Sequence, residues 1–133
     1  MKGTFDFVLG VSFRVEVSPR AFADLDAISE YIAKHGSLER ARKWFDEMLS
    51  AIASLKEMPF RCAIADESQD LGREVRLLLH GKRSHMYKIY FSIQQEAELS
   101  GCVQVLHVRH WAQCRLAFDV TVHALVFEAV QVP

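Results

Sequence analysis

Residues 105–116 read VLHVRHWAQCRL and bring His107, Arg109, His110, Trp111 and Arg115 within one short run. Metal-free cleavage of RNA needs a base for the 2′-hydroxyl proton, cations at the crowded phosphorus and an acid for the leaving 5′-oxygen. Histidine titrates near neutrality and suits either proton role, while arginine and lysine suit the charge role. His107, His110, Arg76, Lys88, Arg109, Arg115 and Tyr87 supply these types. The same types also build a solvated basic edge or a protein interface, so chemistry alone leaves both readings open.

Cys102, His107, His110 and Cys114 invite a zinc reading. On one continuous strand, Cys102 and His107 point to opposite faces, as do His107 and His110, so the four do not converge on an ion. The three cysteines, Cys62, Cys102 and Cys114, form no CxxC and are an odd count, which favours free thiols over a disulfide framework. The expectation is no metal and no cofactor.

The elements that must position these residues follow from periodicity. Phe13, Val15 and Val17 alternate with Arg14 and Glu16 as in a half-buried strand. Ser18-Pro19 is a hydroxyl N-cap followed by proline at the first helical position, and Asp24 and Asp26 lie early in the helix that follows. Phe22, Leu25, Ile28 and Ile32 form its apolar stripe, which closes at His35-Gly36. Ser37 caps a second helix with a stripe of Ala41, Trp44, Phe45, Met48, Ile52 and Leu55, ending at Met58-Pro59. Residues 60–72 show no periodicity and read as a loop. Three strands follow, at 73–79, 86–93 and 102–110, joined by the basic turn HGKRSH and the polar loop QQEAELSG. They make an antiparallel meander with the helical hairpin over one face. The tail after Leu116 is either an added strand or a terminal segment.

Strand parity assigns faces. Val75, Leu77 and Leu79 stand against Arg76 and Leu78, and Tyr87, Ile89, Phe91 and Ile93 against Lys88, Tyr90 and Ser92. Arg76 and Lys88 then stand side by side on the uncovered face as a phosphate-binding surface. Val103, Val105, His107 and Arg109 share one face of the last strand, unless a bulge re-aims a histidine.

The net charge is −1, but residues 73–115 carry seven Lys/Arg against three acids, and His80, His85, His107 and His110 lie there too. Arg73, Lys82, Arg83 and Arg115 thus extend a patch for phosphates or an acidic protein. Trp111, just past the strand, either caps the core edge or stacks on a base. No run of 18 or more uncharged apolar residues occurs, so the expectation is a cytoplasmic protein with no membrane partner.

In order and spacing, VEVSPRAFADLDAISEYIA, the second helix ending in LKEMP, GREVRLLLHGKRSHMYKIYFSI and VQVLHVRH resemble the RelE/ParE superfamily of type II toxin–antitoxin toxins, plasmid stabilisation proteins especially. The resemblance implies an α+β fold, with an N-terminal strand and a two-helix hairpin packed on a curved antiparallel sheet of about four strands. It implies one domain over 1–133, with a core of about 13–115 and extensions at 1–12 and 117–133. The implied partners are a cognate antitoxin and a target, either DNA gyrase, blocked as by ParE, or the ribosome and its mRNA, cut as by RelE. A degenerate toxin with the fold and no activity is the remaining alternative. Against the RelE pattern, Arg76 matches a basic residue and Tyr87-Lys88 stands for Tyr-Arg. His110 replaces an arginine, and the tyrosine near the C-terminus has no counterpart.

Overall fold

A computed structural model describes residues 12–82, 85–98, 100–110 and 130–131. Strand β1 (Ser12–Val17) leads into α1 (Pro19–His35), and α2 (Leu38–Ala53) completes the hairpin. Two short 3₁₀ turns, Ser54–Lys56 and Pro59–Arg61, precede β2 (Ala63–Ile64), a single helical turn α3 (Ser68–Leu71) and β3 (Arg76–His80). Strands β4 (Tyr87–Ala97), β5 (Ser100–His110) and β6 (Val130–Gln131) follow.

The local signals behave as expected. Ser18 Oγ accepts the Ala21 amide at 3.0 Å and Ser37 Oγ accepts that of Arg40 at 3.1 Å, so each helix starts on a hydroxyl cap. The buried stripe positions Leu25, Met48 and Ile52 pack with Val15, Val17, Ile89, Phe91, Val103 and Val105 between hairpin and sheet. Burial of each such large side chain contributes about 1.5–3 kcal/mol.

The α+β class and the helix hairpin on a sheet stand, and the sheet is richer than the expectation. Its order is β2-β3-β4-β5-β1-β6. The β3-β4-β5 meander is antiparallel, but β1 lies parallel to β5, and the two-residue β6 pairs antiparallel with Glu16 and Val17. The stretch read as the loop QQEAELSG is largely strand, since β4 runs to Ala97 and β5 starts at Ser100. Residues 60–72, read as a loop, contain β2 and α3.

Two features re-aim the face assignments. The register slips between Tyr90/Phe91, with Tyr90 opposite His107 and Phe91 opposite Val105, so Leu106 is the extra residue of a bulge. Val103 and Val105 before it therefore share the hairpin side of the sheet with Val108 and His110 after it. In β3, Leu78 lies opposite Ile89 and joins the main core, whereas Leu77 lies opposite Tyr90 in a second cluster with Ala65, Val75 and Leu106. That cluster occupies part of the face expected to be uncovered. There the Tyr90 hydroxyl, 1% exposed, donates to the buried Glu67 carboxylate at 3.0 Å.

Candidate functional site

At the end of the sheet where β4 begins and β5 finishes, the hairpin and the strands line an open cavity of about 700 Å³. Helix α1 contributes Ala27, Ile28, Tyr31, Ile32 and His35, and α2 contributes Arg40 and Trp44. His85, Tyr87 and His110 close the strand side. Helical spacing puts the α1 residues on one side of the cavity, since 27, 28, 31, 32 and 35 lie three and four apart. Tyr87 and His110 are cross-strand partners, so both project to this face. Their rings meet edge-to-face at 5.1 Å, and Trp44 meets Tyr87 in the same way at 5.2 Å. His35 stacks on Tyr31 at 4.1 Å. Burial pushes the Tyr87 hydroxyl above its ordinary value, and the nearby Tyr31 adds to this, so near neutrality Tyr87 remains a donor.

On the other face, Lys88 lies directly opposite Arg109 on β5 and Leu79 on β3. Like charges directly opposite one another disfavour the pairing, which marks this as a local concentration of positive charge. The Arg109 Nε is buried and has no hydrogen-bond acceptor among the described residues. Arg73 reaches the same face and donates to Ser92 Oγ at 2.8 Å.

Arg76 is elsewhere. It lies opposite Phe91 on the hairpin side, donates to the Cys62 carbonyl at 2.6 Å, meets Glu74 at 3.1 Å and covers the Phe60 ring at 5.1 Å. The expectation that Arg76 and Lys88 stand side by side is therefore wrong: they occupy opposite faces. In LLL, residues 77–79, both parities are apolar, so alternation carried no contrast from which to choose the face.

His107 is 1% exposed, and its Nδ1 lies 3.4 Å from Asp24 Oδ2. That carboxylate also accepts the Val108 amide at 3.0 Å, while its other oxygen meets Arg20 at 3.3 Å. Strand β1 ends opposite Val105, and α1 takes over the exposed edge of β5 through Ser18 and Asp24. Asp24 thus satisfies a strand edge rather than the dipole of its own helix. The bulge also revises the argument against zinc: Cys102 and His107 share a face, but their partners Gln94 and Tyr90 lie four residues apart on β4. That is roughly 13 Å along the strand, too far for one ion. Burial, followed by Glu16, pushes the Cys102 thiol up to about 11.

A family model, the ParE toxin of the type II toxin–antitoxin system parDE, matches residues 15–113. The chain belongs to the ParE toxin family. No curated protein matches. Among solved structures, a chain of the chromosomal ParDE TA system from P. aeruginosa superposes with a TM-score of 0.56 at 20% identity, covering 75% of this chain and 95% of that one. At that identity the likeness speaks for the fold.

In this ParE family member the sequence-selected residues fall into separate environments. Tyr87 and His110 line the cavity, Lys88 and Arg109 pair on the opposite face, His107 is buried against Asp24, and Arg76 braces residues 60–62. Lys82 borders a cleft against Glu47 and Ser50 of α2, in a turn whose Gly81, at φ 112, faces the His85 carbonyl where a Cβ would clash. Arg83, Trp111 and Arg115 lie outside the described residues. Sequence reasoning missed Arg40, His35, His85 and Tyr31 as cavity residues. Their only signal was that they border the hairpin bend and the basic turn, two loops that the fold brings to the same end.

Proposed function

We propose that this chain is the toxin of a type II toxin–antitoxin module that arrests growth by binding and inhibiting DNA gyrase, and that a cognate antitoxin neutralises it. The reading rests on the ParE family match over residues 15–113, which spans the hairpin and the β3-β4-β5 meander. The geometry supports it from a second side. Metal-free RNA cleavage needs base, acid and phosphate-binding cations within reach of one phosphorus. Arg76 and Lys88 are on opposite faces, and His110 is across the sheet from Lys88 and Arg109. Inhibition through a protein contact needs no such convergence. The cross-strand pair Lys88 and Arg109 supplies a positively charged patch for an acidic surface of the target.

The toxin acts in the cytoplasm in this reading, with residues 1–133 as one domain; among the described residues no helix is long and apolar enough to cross a membrane. The experiment is a supercoiling assay: purified protein added to gyrase and relaxed plasmid stops the appearance of supercoiled product. Full supercoiling at a large stoichiometric excess of protein removes the reading.

A further inference from the structure

The sheet ends in β6 on one side and in β2 on the other, and among the described residues no strand pairs beyond β2. The Ala65 amide donates inward to the Val75 carbonyl at 2.7 Å. Backbone groups alternate sides along a strand, so Ile64 turns its own N–H and C=O outward, away from β3. An edge of this kind can pair with another strand.

The side chains around that edge are apolar and held in place. Ile64 is 52% exposed and lies opposite Arg76, on the hairpin side of the sheet. Phe60 is 43% exposed, yet the Arg76 guanidinium lies over its ring at 5.1 Å and donates to its carbonyl at 3.3 Å, while the Phe13 ring meets it edge-on at 6.1 Å. Met58 is 69% exposed and takes the left-handed conformation, with φ 49, which is unfavourable for a residue that carries a Cβ. Arg61 fixes that turn by donating to the Glu57 carbonyl at 2.8 Å and the Met58 carbonyl at 3.3 Å. Apolar groups already held in one arrangement lose little freedom when a partner covers them.

The edge is also complementary to itself. A two-fold axis through Ile64, normal to the sheet, sets Ile64 of one copy against Ile64 of the other, and each donates its N–H to the other's C=O. Both Ile64 side chains then project to the same face, where Phe60 stands. Arg61 precedes Ile64 by three residues and Asp66 follows it by two, and both are exposed. The antiparallel crossing brings Arg61 of each copy beside Asp66 of the other. A partner surface of uniform charge would repel one of these two groups, whereas a second copy of the chain satisfies both.

We propose that the β2 edge joins two copies of this chain into an isologous dimer, with Ile64 on the axis, Met58 and Phe60 covering the junction and Arg61–Asp66 ion pairs flanking it. The surface is on the opposite edge of the sheet from β6 and stands independently of the gyrase reading.

Sedimentation equilibrium of the full-length protein is the test. The contact is small, so the expected result is a reversible monomer–dimer equilibrium with a dissociation constant of about 1–100 µM. Ile64→Pro deletes the outward donor without removing a bond to β3 and weakens the dimer by about tenfold or more. Ile64→Lys, which keeps the amide and puts two ammonium groups together on the axis, does the same. Asp66→Arg places like charges beside each other and weakens the dimer by about threefold or more. Leu38→Lys, at another exposed apolar position by the hairpin bend, leaves it unchanged. Circular dichroism melts confirm that each variant is folded. A wholly monomeric protein at about 200 µM, Ile64 variants that dimerise as tightly as the parent, no loss from Asp66→Arg, or Leu38→Lys as damaging as Ile64→Lys would each overturn the proposal.

Discussion

Asp24 holds α1 to the sheet, and its removal has a calculable effect. Its Oδ2 accepts the Val108 amide at 3.0 Å where β1 no longer pairs with β5, and Oδ1 meets Arg20 one helical turn back at 3.3 Å. Asp24→Ala removes a hydrogen bond to a charged acceptor, about 1.5–3 kcal/mol, and leaves a strand amide without its partner. The ion pair adds little, about 0.3–0.5 kcal/mol, because it is an (i, i+4) helix pair whose Arg20 side chain stays partly in solvent. The total loss is about 2–3.5 kcal/mol, a fall in Tm of about 7–13 °C for a domain of this size. Asp24→Asn keeps an amide oxygen that can accept from Val108, so it loses only the charge's share of that bond and the ion pair, about 1–2 kcal/mol, and leaves no strand amide unpaired. Urea unfolding followed by far-UV circular dichroism, with a thermal melt on the same samples, measures both. If Asp24→Ala lies within about 0.5 kcal/mol of the parent, the edge-capping argument fails. If Asp24→Asn is as damaging as Asp24→Ala, the charge near His107 and Arg20 dominates instead, and the argument fails in a different way.

Tyr90→Phe withdraws the hydroxyl donor from buried Glu67 and should cost about 1–3 kcal/mol in urea unfolding, with the Glu67→Gln/Tyr90→Phe double variant costing less than the sum of the single ones. Cys102 gives a pH dependence: its folded value, about 11, is above the ordinary value of 9.0, so its contribution is present below pH 9 and lost as pH rises towards 11. Thermal melts should show a steeper alkaline loss for the parent than for Cys102→Ala over that window; parallel curves would refute the assignment. The same burial should keep Cys62 and Cys102 unlabelled by iodoacetamide at pH 7 until the protein is denatured, as peptide mapping will show.

What the chain revealed in advance was what it encodes locally. Ser18-Pro19 and Ser37 are caps whose partners lie three residues away, and the stripes through Leu25 and Met48 repeat with the helix, so both helices were legible. Strand β1 was legible from alternation, but not its insertion between β5 and β6, because pairing of distant segments leaves no trace in either. The face of Arg76 was misread because Leu77, Leu78 and Leu79 satisfy both parities, each side having its own core. His110 and Arg109 exchanged faces because of the single extra residue Leu106, which looks like any other strand leucine. The cavity was illegible for a related reason: its residues come from α1, α2 and the strand ends, and only the packed hairpin makes them neighbours.

The central claim is that this ParE family member works by engaging gyrase rather than by cutting RNA. Its most direct test combines purified protein with gyrase, ATP and relaxed plasmid, with a translating extract containing labelled mRNA assayed in parallel. Gyrase engagement predicts loss of supercoiling at near-stoichiometric protein with the message intact, and weaker inhibition by a Lys88→Glu/Arg109→Glu double variant that remains folded. Normal supercoiling alongside cleaved message would contradict it.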